Sequence, residues 1–178
     1  MITIETIQSV NSILGIFGVL GILSTIFLVV DMRGQRMLAP YISSWGLHAA
    51  LFVAVVASIL SLVYSEVFGL IPCGLCWFER MMLFPQVLII GAALYFKDTF
   101  APVHGIVLSG IGLIISLYHH YLQMGGSAFV KCPAAGVGSD CAKRFFFEFG
   151  FITFPLMSAI LFAFLIALYL YIRKERTK

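Results

Sequence analysis

The residues best suited to chemistry in this chain are its four cysteines. Cys73 and Cys76 form a C-x-x-C, whereas Cys132 and Cys141 have eight residues between them. Two thiol pairs can staple loops, hold zinc through four sulfurs, or exchange electrons as dithiol–disulfide couples. A structural bridge gains most by closing a long loop, and C-x-x-C closes a very short one. Strained, small-ring disulfides are instead the labile kind suited to exchange. Zinc sites favour two tight pairs, and the second spacing here is loose. Spacing therefore favours redox chemistry and leaves the staple and zinc readings open.

The flanking residues bear on the same choice. Pro72 ends the preceding loop and Trp77 begins an apolar run. Cys76 is thus expected near a helix N-terminus, where the helix dipole favours a thiolate. Arg80 lies one turn on, on the same face at i,i+4. There it is expected to stabilise the thiolate or to polarise a carbonyl oxygen beside it. The blander role is a headgroup contact or a partner for Glu79. His119 and His120 close a later apolar run, with Gln123 one turn past His119, and read most simply as interfacial polar residues. Lys131, Lys143 and Arg144 flank the second cysteine pair and would favour thiolates there, or serve as solvated charges. His48 and His104 lie away from the cysteines and carry no assignment.

The elements that position these groups follow from composition. The chain of 178 residues is 61% hydrophobic and 11% charged, against roughly half and a quarter in soluble domains. Lipid must be the solvent for the excess. A net charge of +3 is too small to suggest nucleic acid. Five stretches, at 12–30, 47–65, 77–96, 102–121 and 149–172, reach the length of about 20 apolar residues that a bilayer requires. The expected fold is all-α and polytopic, with no room for a thioredoxin-like βαβ unit. Pro85 and Pro155 are expected to kink their spans, Trp45 and Trp77 to anchor interfaces, and 122–148 to form a flexible extramembranous loop.

Links after the first, third and fifth spans hold seven of the 11 Lys and Arg residues. The positive-inside rule puts those links in the cytoplasm, leaving the amino terminus and both cysteine loops outside and the carboxyl terminus inside. The first span lacks a basic leader, carries Glu5 and exceeds the usual signal length, so it is expected to be a retained helix. A dithiol at the membrane boundary can meet a lipid-soluble oxidant, while the loop pair can reach an aqueous protein.

The stretch 64–80, YSEVFGLIPCGLCWFER, resembles the DsbB/BdbC family of bacterial disulfide-bond formation proteins. So do Ser139-Asp140-Cys141-Ala142-Lys143-Arg144, the following FGFITFP at 149–155, and His119-His120-Tyr121-Leu122-Gln123 as the family's H-x-x-L-Q. The likeness covers about residues 44 to 172. It implies a four-helix bundle over 44–178 in the bacterial cytoplasmic (inner) membrane, with an extra transmembrane helix and cytoplasmic link at 1–43. It further implies reoxidation of a DsbA-like thioredoxin-fold partner and transfer of the electrons to a membrane quinone, ubiquinone or menaquinone. By motif, Cys132 would receive the partner's electrons through a mixed disulfide and Cys141 would resolve it. Electrons would pass to Cys73–Cys76, with Cys76 engaging the quinone beside Arg80 and His119 in the same neighbourhood.

The DsbA–DsbB–quinone relay is the established case of this chemistry, and DsbA, at about −120 mV, needs a still stronger oxidant than glutathione to recharge it. Two departures stand out. The loop between Cys132 and Cys141 is short and nearer the BdbC pattern, and the first span lies outside the resemblance. Among rivals, vitamin K epoxide reductase places its loop cysteines before the C-x-x-C, and CcdA-type conduits place cysteines within spans. A non-catalytic membrane protein with structural disulfides or a four-cysteine zinc site is the rival of a different class.

Overall fold

In lipid the backbone has no hydrogen-bond partner but itself, so long apolar runs become helices. The computed structural model describes residues 4–34, 36–129, 132, 140–144, 147 and 149–177. Five helices follow in order: α1 Ile4–Arg33, α2 Ala39–Leu62, α3 Gly74–Phe96, α4 Ala101–Gln123 and α5 Phe154–Arg176. All five are long and apolar enough to cross a membrane. The expected all-α fold is the one observed, and α2 runs on through a π-helical turn at Val63–Val67.

The fifth span begins later than its apolar run. Phe149 and Gly150 both take left-handed backbone, with φ of 52° and 79°, which a helix cannot accommodate. Thr153 then caps α5, its Oγ1 accepting the Leu156 N–H at 3.3 Å. Pro155 falls in the first turn, where its missing N–H costs no helical bond. The kink expected at Pro155 is therefore replaced by a helix start. Pro85 does lie inside α3.

The bundle is organised around α4. Its buried residues Gly105, Ser109, Gly112, Ser116, His119 and Gln123 recur at steps of three and four, which makes one continuous stripe. Small residues in the stripe admit rings from α5: a Cβ on Gly112 would stand 2.5 Å from Phe162, and one on Gly105 would meet the Tyr169 ring. Mid-bundle, Gln86 of α3 accepts from Ser109 at 3.2 Å and from Tyr169 at 3.0 Å. Each polar group thereby gains a partner in a region that offers no water.

Helix α1 packs against α5. At its C-terminal end Asp31 accepts the Met37 and Leu38 N–H groups, at 2.9 and 3.1 Å, and the Tyr171 hydroxyl at 2.7 Å. The Lys174 ammonium donates to the Met32 carbonyl at 2.7 Å. One carboxylate thus caps the start of α2 and joins the ends of α1 and α5.

Candidate functional site

The α4 stripe explains which of two adjacent histidines turns inward. His119 continues the line of Ser109, Gly112 and Ser116 and is fully buried. His120 is rotated off it, and its Nδ1 lies 2.8 Å from Thr153 Oγ1 at the α5 cap. On α3 the buried face runs Glu79, Leu83, Gln86, Ile90 and Ala93, so Glu79 meets His119 across the bundle. Glu79 Oε1 and His119 Nδ1 are 2.8 Å apart, and His119 Nε2 is 3.5 Å from Cys73 Sγ.

Cys73 is the N-cap of α3, with extended backbone, and its Sγ accepts the Cys76 N–H at 3.3 Å. Both helix cysteines are free thiols, with sulfurs 2.8 Å apart. The Cys76 thiol, donating to Cys73, lowers the Cys73 pKa most strongly; burial opposes it. A hydrogen bond from His119 and that ring's charge add to the lowering, as does the Cys76 N–H. The balance brings Cys73 down to about 4. The stabilisation expected at Cys76 thus falls on Cys73, chiefly because the Cys73 sulfur accepts from the Cys76 thiol and faces His119, with the Cys76 N–H at the helix end adding least.

Arg80 projects sideways from the same turn of α3 toward α2. Its Nε donates to Ser61 Oγ at 2.8 Å, and its Nη2 to the Ser61 carbonyl at 2.6 Å and to Ser65 Oγ at 3.0 Å. The π-helical turn after α2 brings Ser65 into this set. Its guanidinium also lies 5.3 Å from the Trp77 ring centre. Nη1 keeps its donors uncommitted among the described residues, although Arg80 is buried. Glu79, the carboxylate considered for Arg80 in the blander role, is engaged with His119 instead.

Cys132 and Cys141 form a disulfide with Cα atoms 5.9 Å apart. Cys141 is buried in one cluster with Cys73, Leu75 and Leu122, and half-buried Cys132 and Cys76 pack against it. The two pairs therefore meet at one end of the bundle. With its loop pair bonded, this state offers no four-thiolate zinc set. Among the described residues, Cys73, Cys76 and His119 are a grouping able to hold a metal, their ligand atoms lying within 4.8 Å of one another. Lys131 and most of 130–139 lie outside the described residues. Lys143 offers its carbonyl to Gln123 Nε2 at 3.2 Å, and the Arg144 guanidinium stands 4.9 Å from the Phe147 ring.

A cavity of about 620 Å³ opens from this cluster. Cys73, Cys76, Glu79, Arg80, His119 and Gln123 line its polar end. Asp140 and Lys143 of the cysteine loop also line it, and the rest is walled mainly by apolar residues of α1, α2 and α5, with Ser24 and Ser158 among them. Gln123 Oε1 is buried there with no protein partner. Sequence reasoning missed Glu79, Ser61 and Ser65 as site residues. An ionisable residue inside a span was a usable signal for Glu79; the serines carried none.

The family profile described as disulfide bond formation protein DsbB matches residues 43–172. The chain belongs to the DsbB family. A probable disulfide formation protein of Oceanobacillus iheyensis is 41% identical over 117 residues, covering 65% of this chain and 80% of the relative. The SPbeta prophage-derived disulfide bond formation protein B of Bacillus subtilis is 39% identical over 130 residues, or 71% and 86% of the two chains. Disulfide bond formation protein C of the same species is 33% identical over 132 residues, or 74% and 95%. No solved structure matches the chain. As a DsbB-family protein with five membrane-length helices, it is a multi-pass membrane disulfide oxidoreductase.

Proposed function

We propose that this DsbB-family protein takes electron pairs from a DsbA-like thioredoxin-fold protein and delivers them to a membrane quinone at Cys73–Cys76. The observation that carries the quinone reading is Arg80, a buried cation with uncommitted N–H donors at the head of an apolar cavity that also exposes Cys76. A guanidinium donor there suits a carbonyl oxygen whose negative charge grows on reduction. The residues present fit a lipid quinone: charged donors gathered at one end and a largely apolar wall along the rest.

The partner's two thiols become a disulfide, and the Cys132–Cys141 disulfide becomes two thiols. A mixed disulfide at Cys132 forms first; Cys132 is the half-buried sulfur of its pair, and Cys141 is the buried one that packs against Cys73. The loop dithiol next closes to a disulfide as it reduces an oxidised Cys73–Cys76 pair. A quinone supplies the final sink, accepting two electrons and two protons as Cys73 and Cys76 close to a disulfide. In that step Cys73 is held as a thiolate by Cys76 and His119, Glu79 orients the ring, and Arg80 directs the oxygen toward Cys76. The cysteine loops and amino terminus lie outside the cytoplasmic membrane and the carboxyl terminus inside, in keeping with the basic tail.

The test is quinol formation by the detergent-solubilised protein with a reduced thioredoxin-fold dithiol. Turnover abolished in Cys76→Ser is the expected result. Absence of turnover with both ubiquinone and menaquinone, or full turnover in Cys76→Ser, overturns the reading. One observation favours a zinc clip instead, the convergence of Cys73, Cys76 and His119. Stoichiometric zinc in a protein that reduces no quinone would establish that alternative.

A further inference from the structure

The cavity extends past the polar cluster, and helix α1, which precedes the family match at residue 43, supplies one of its walls. Leu14, Phe17, Gly18, Leu20, Gly21 and Ser24 line it. Leu14, Phe17, Gly21 and Ser24 recur at steps of three and four, so one face of α1 looks into the space. Val53, Ala57 and Leu60 of α2 and Ile160, Leu161 and Phe164 of α5 also line it. The ten steps of α1 from Leu14 to Ser24 rise about 15 Å, about half of a hydrocarbon core of roughly 30 Å.

This wall is held in place at two points. Gly21 approaches α5 so closely that a Cβ would stand 2.9 Å from Ile160, and Gly18 faces Ile152 and Met157. At the C-terminal end Asp31 accepts from Tyr171 of α5. Helix α1 is thus a fixed part of the bundle.

We propose that α1 completes a channel for the prenyl tail of the quinone, making residues 14–24 determinants of acceptor tail recognition. The proposal rests on the quinone reading above. A largely apolar space with its charged donors gathered at one end matches a neutral ring bearing a hydrocarbon tail. A phospholipid would have to shed water from a charged headgroup to reach the buried Arg80.

Two photoreactive quinones test it on the full chain in detergent, one carrying the label on the ring and one at the far end of the prenyl tail. The tail probe is expected to label the peptide containing residues 14–24, and the ring probe α3 near Arg80. Ser24→Phe, and separately Leu20→Phe, should cut tail labelling by about tenfold, since each buried methylene displaced costs affinity. Ring labelling should be unchanged. Leu23→Phe, on an exposed position outside the lining, should alter neither. Tail labelling that spares α1, or that persists at wild-type level in both cavity variants, overturns the proposal. So does loss of the tail label, with the ring label kept, under excess phospholipid, because an acyl chain then fills the channel. Failure of the ring probe to label near Arg80 instead overturns the quinone reading itself.

Discussion

His119 bridges Glu79 and Cys73: its Nδ1 stands 2.8 Å from the carboxylate and its Nε2 3.5 Å from the sulfur. Two groups, Glu79 of α3 and His119 of α4, thereby act in line on one thiol. The carboxylate fixes which ring nitrogen faces the sulfur, and the ring stabilises negative charge on Cys73 against the cost of burial. Such a line of groups can tune a nucleophile at the polar end of the cavity.

The pH dependence of the Cys73 thiolate follows. Its pKa is lowered to about 4, so the thiolate is populated at neutral pH and is lost as pH falls through about 4. His119→Ala removes both the hydrogen bond and the charge, and the midpoint should rise by about one unit or more, equivalent to about 1.4 kcal/mol. Glu79→Gln should shift it in the same direction by less, because the ring remains. Thiolate ultraviolet absorbance of the reduced protein, measured against Cys73→Ser, reads the midpoint. An unchanged midpoint in His119→Ala would remove the histidine from this role.

Arg80 separates binding from thiol chemistry. Arg80→Lys keeps the charge but loses the planar fork that reaches Ser61, Ser65 and the cavity together. A hydrogen bond to a charged group contributes about 1.5–3 kcal/mol, so KM for quinone should rise at least about tenfold. Oxidation of the reduced Cys73–Cys76 pair by a small disulfide should be little affected. Equal losses in both assays would point to damage at the α2–α3 contact instead.

The two cysteine pairs should respond differently to the size of the reductant. Cys132→Ser should abolish turnover with a thioredoxin-fold dithiol yet retain quinone reduction driven by a small dithiol that reaches the helix pair. Cys76→Ser should abolish both. Stopped-flow measurement of quinol formation checks each case, and a Cys132→Ser protein that still turns over with the protein dithiol contradicts the assignment.

Two glycines on α4 offer a stability comparison. A Cβ on Gly112 would come 2.5 Å from the Phe162 ring, whereas one on Gly110 meets nothing within 4 Å. Gly112→Ala should therefore destabilise by about 1–3 kcal/mol through overpacking. Gly110→Ala should be neutral or stabilising by up to about 1 kcal/mol through helix propensity. Thermal unfolding in detergent distinguishes them, and equal midpoints would mean that α5 shifts to admit the methyl.

What the sequence alone determined was local or compositional. Five runs of apolar residues specify five helices because lipid leaves the backbone no other solution. The Pro72–Trp77 context places the C-x-x-C at a helix start, and it does so whatever packs nearby. Span ends were less legible: the left-handed pair Phe149–Gly150 interrupts an apolar run that hydropathy alone reads as continuous. The tertiary structure decided everything that needed two helices at once. Spacing shows that Glu79 and Arg80 leave α3 in different directions, but not that one meets His119 and the other Ser61. Only the small-residue stripe of α4, packed against α5, selects His119 over His120 for the interior. Likewise the face of α1 has no evident task in sequence, because a helix carries its apolar pattern without naming the neighbour that it will face. Cavities and hydrogen bonds between helices arise from how faces are paired, and pairing is a property of the packed bundle.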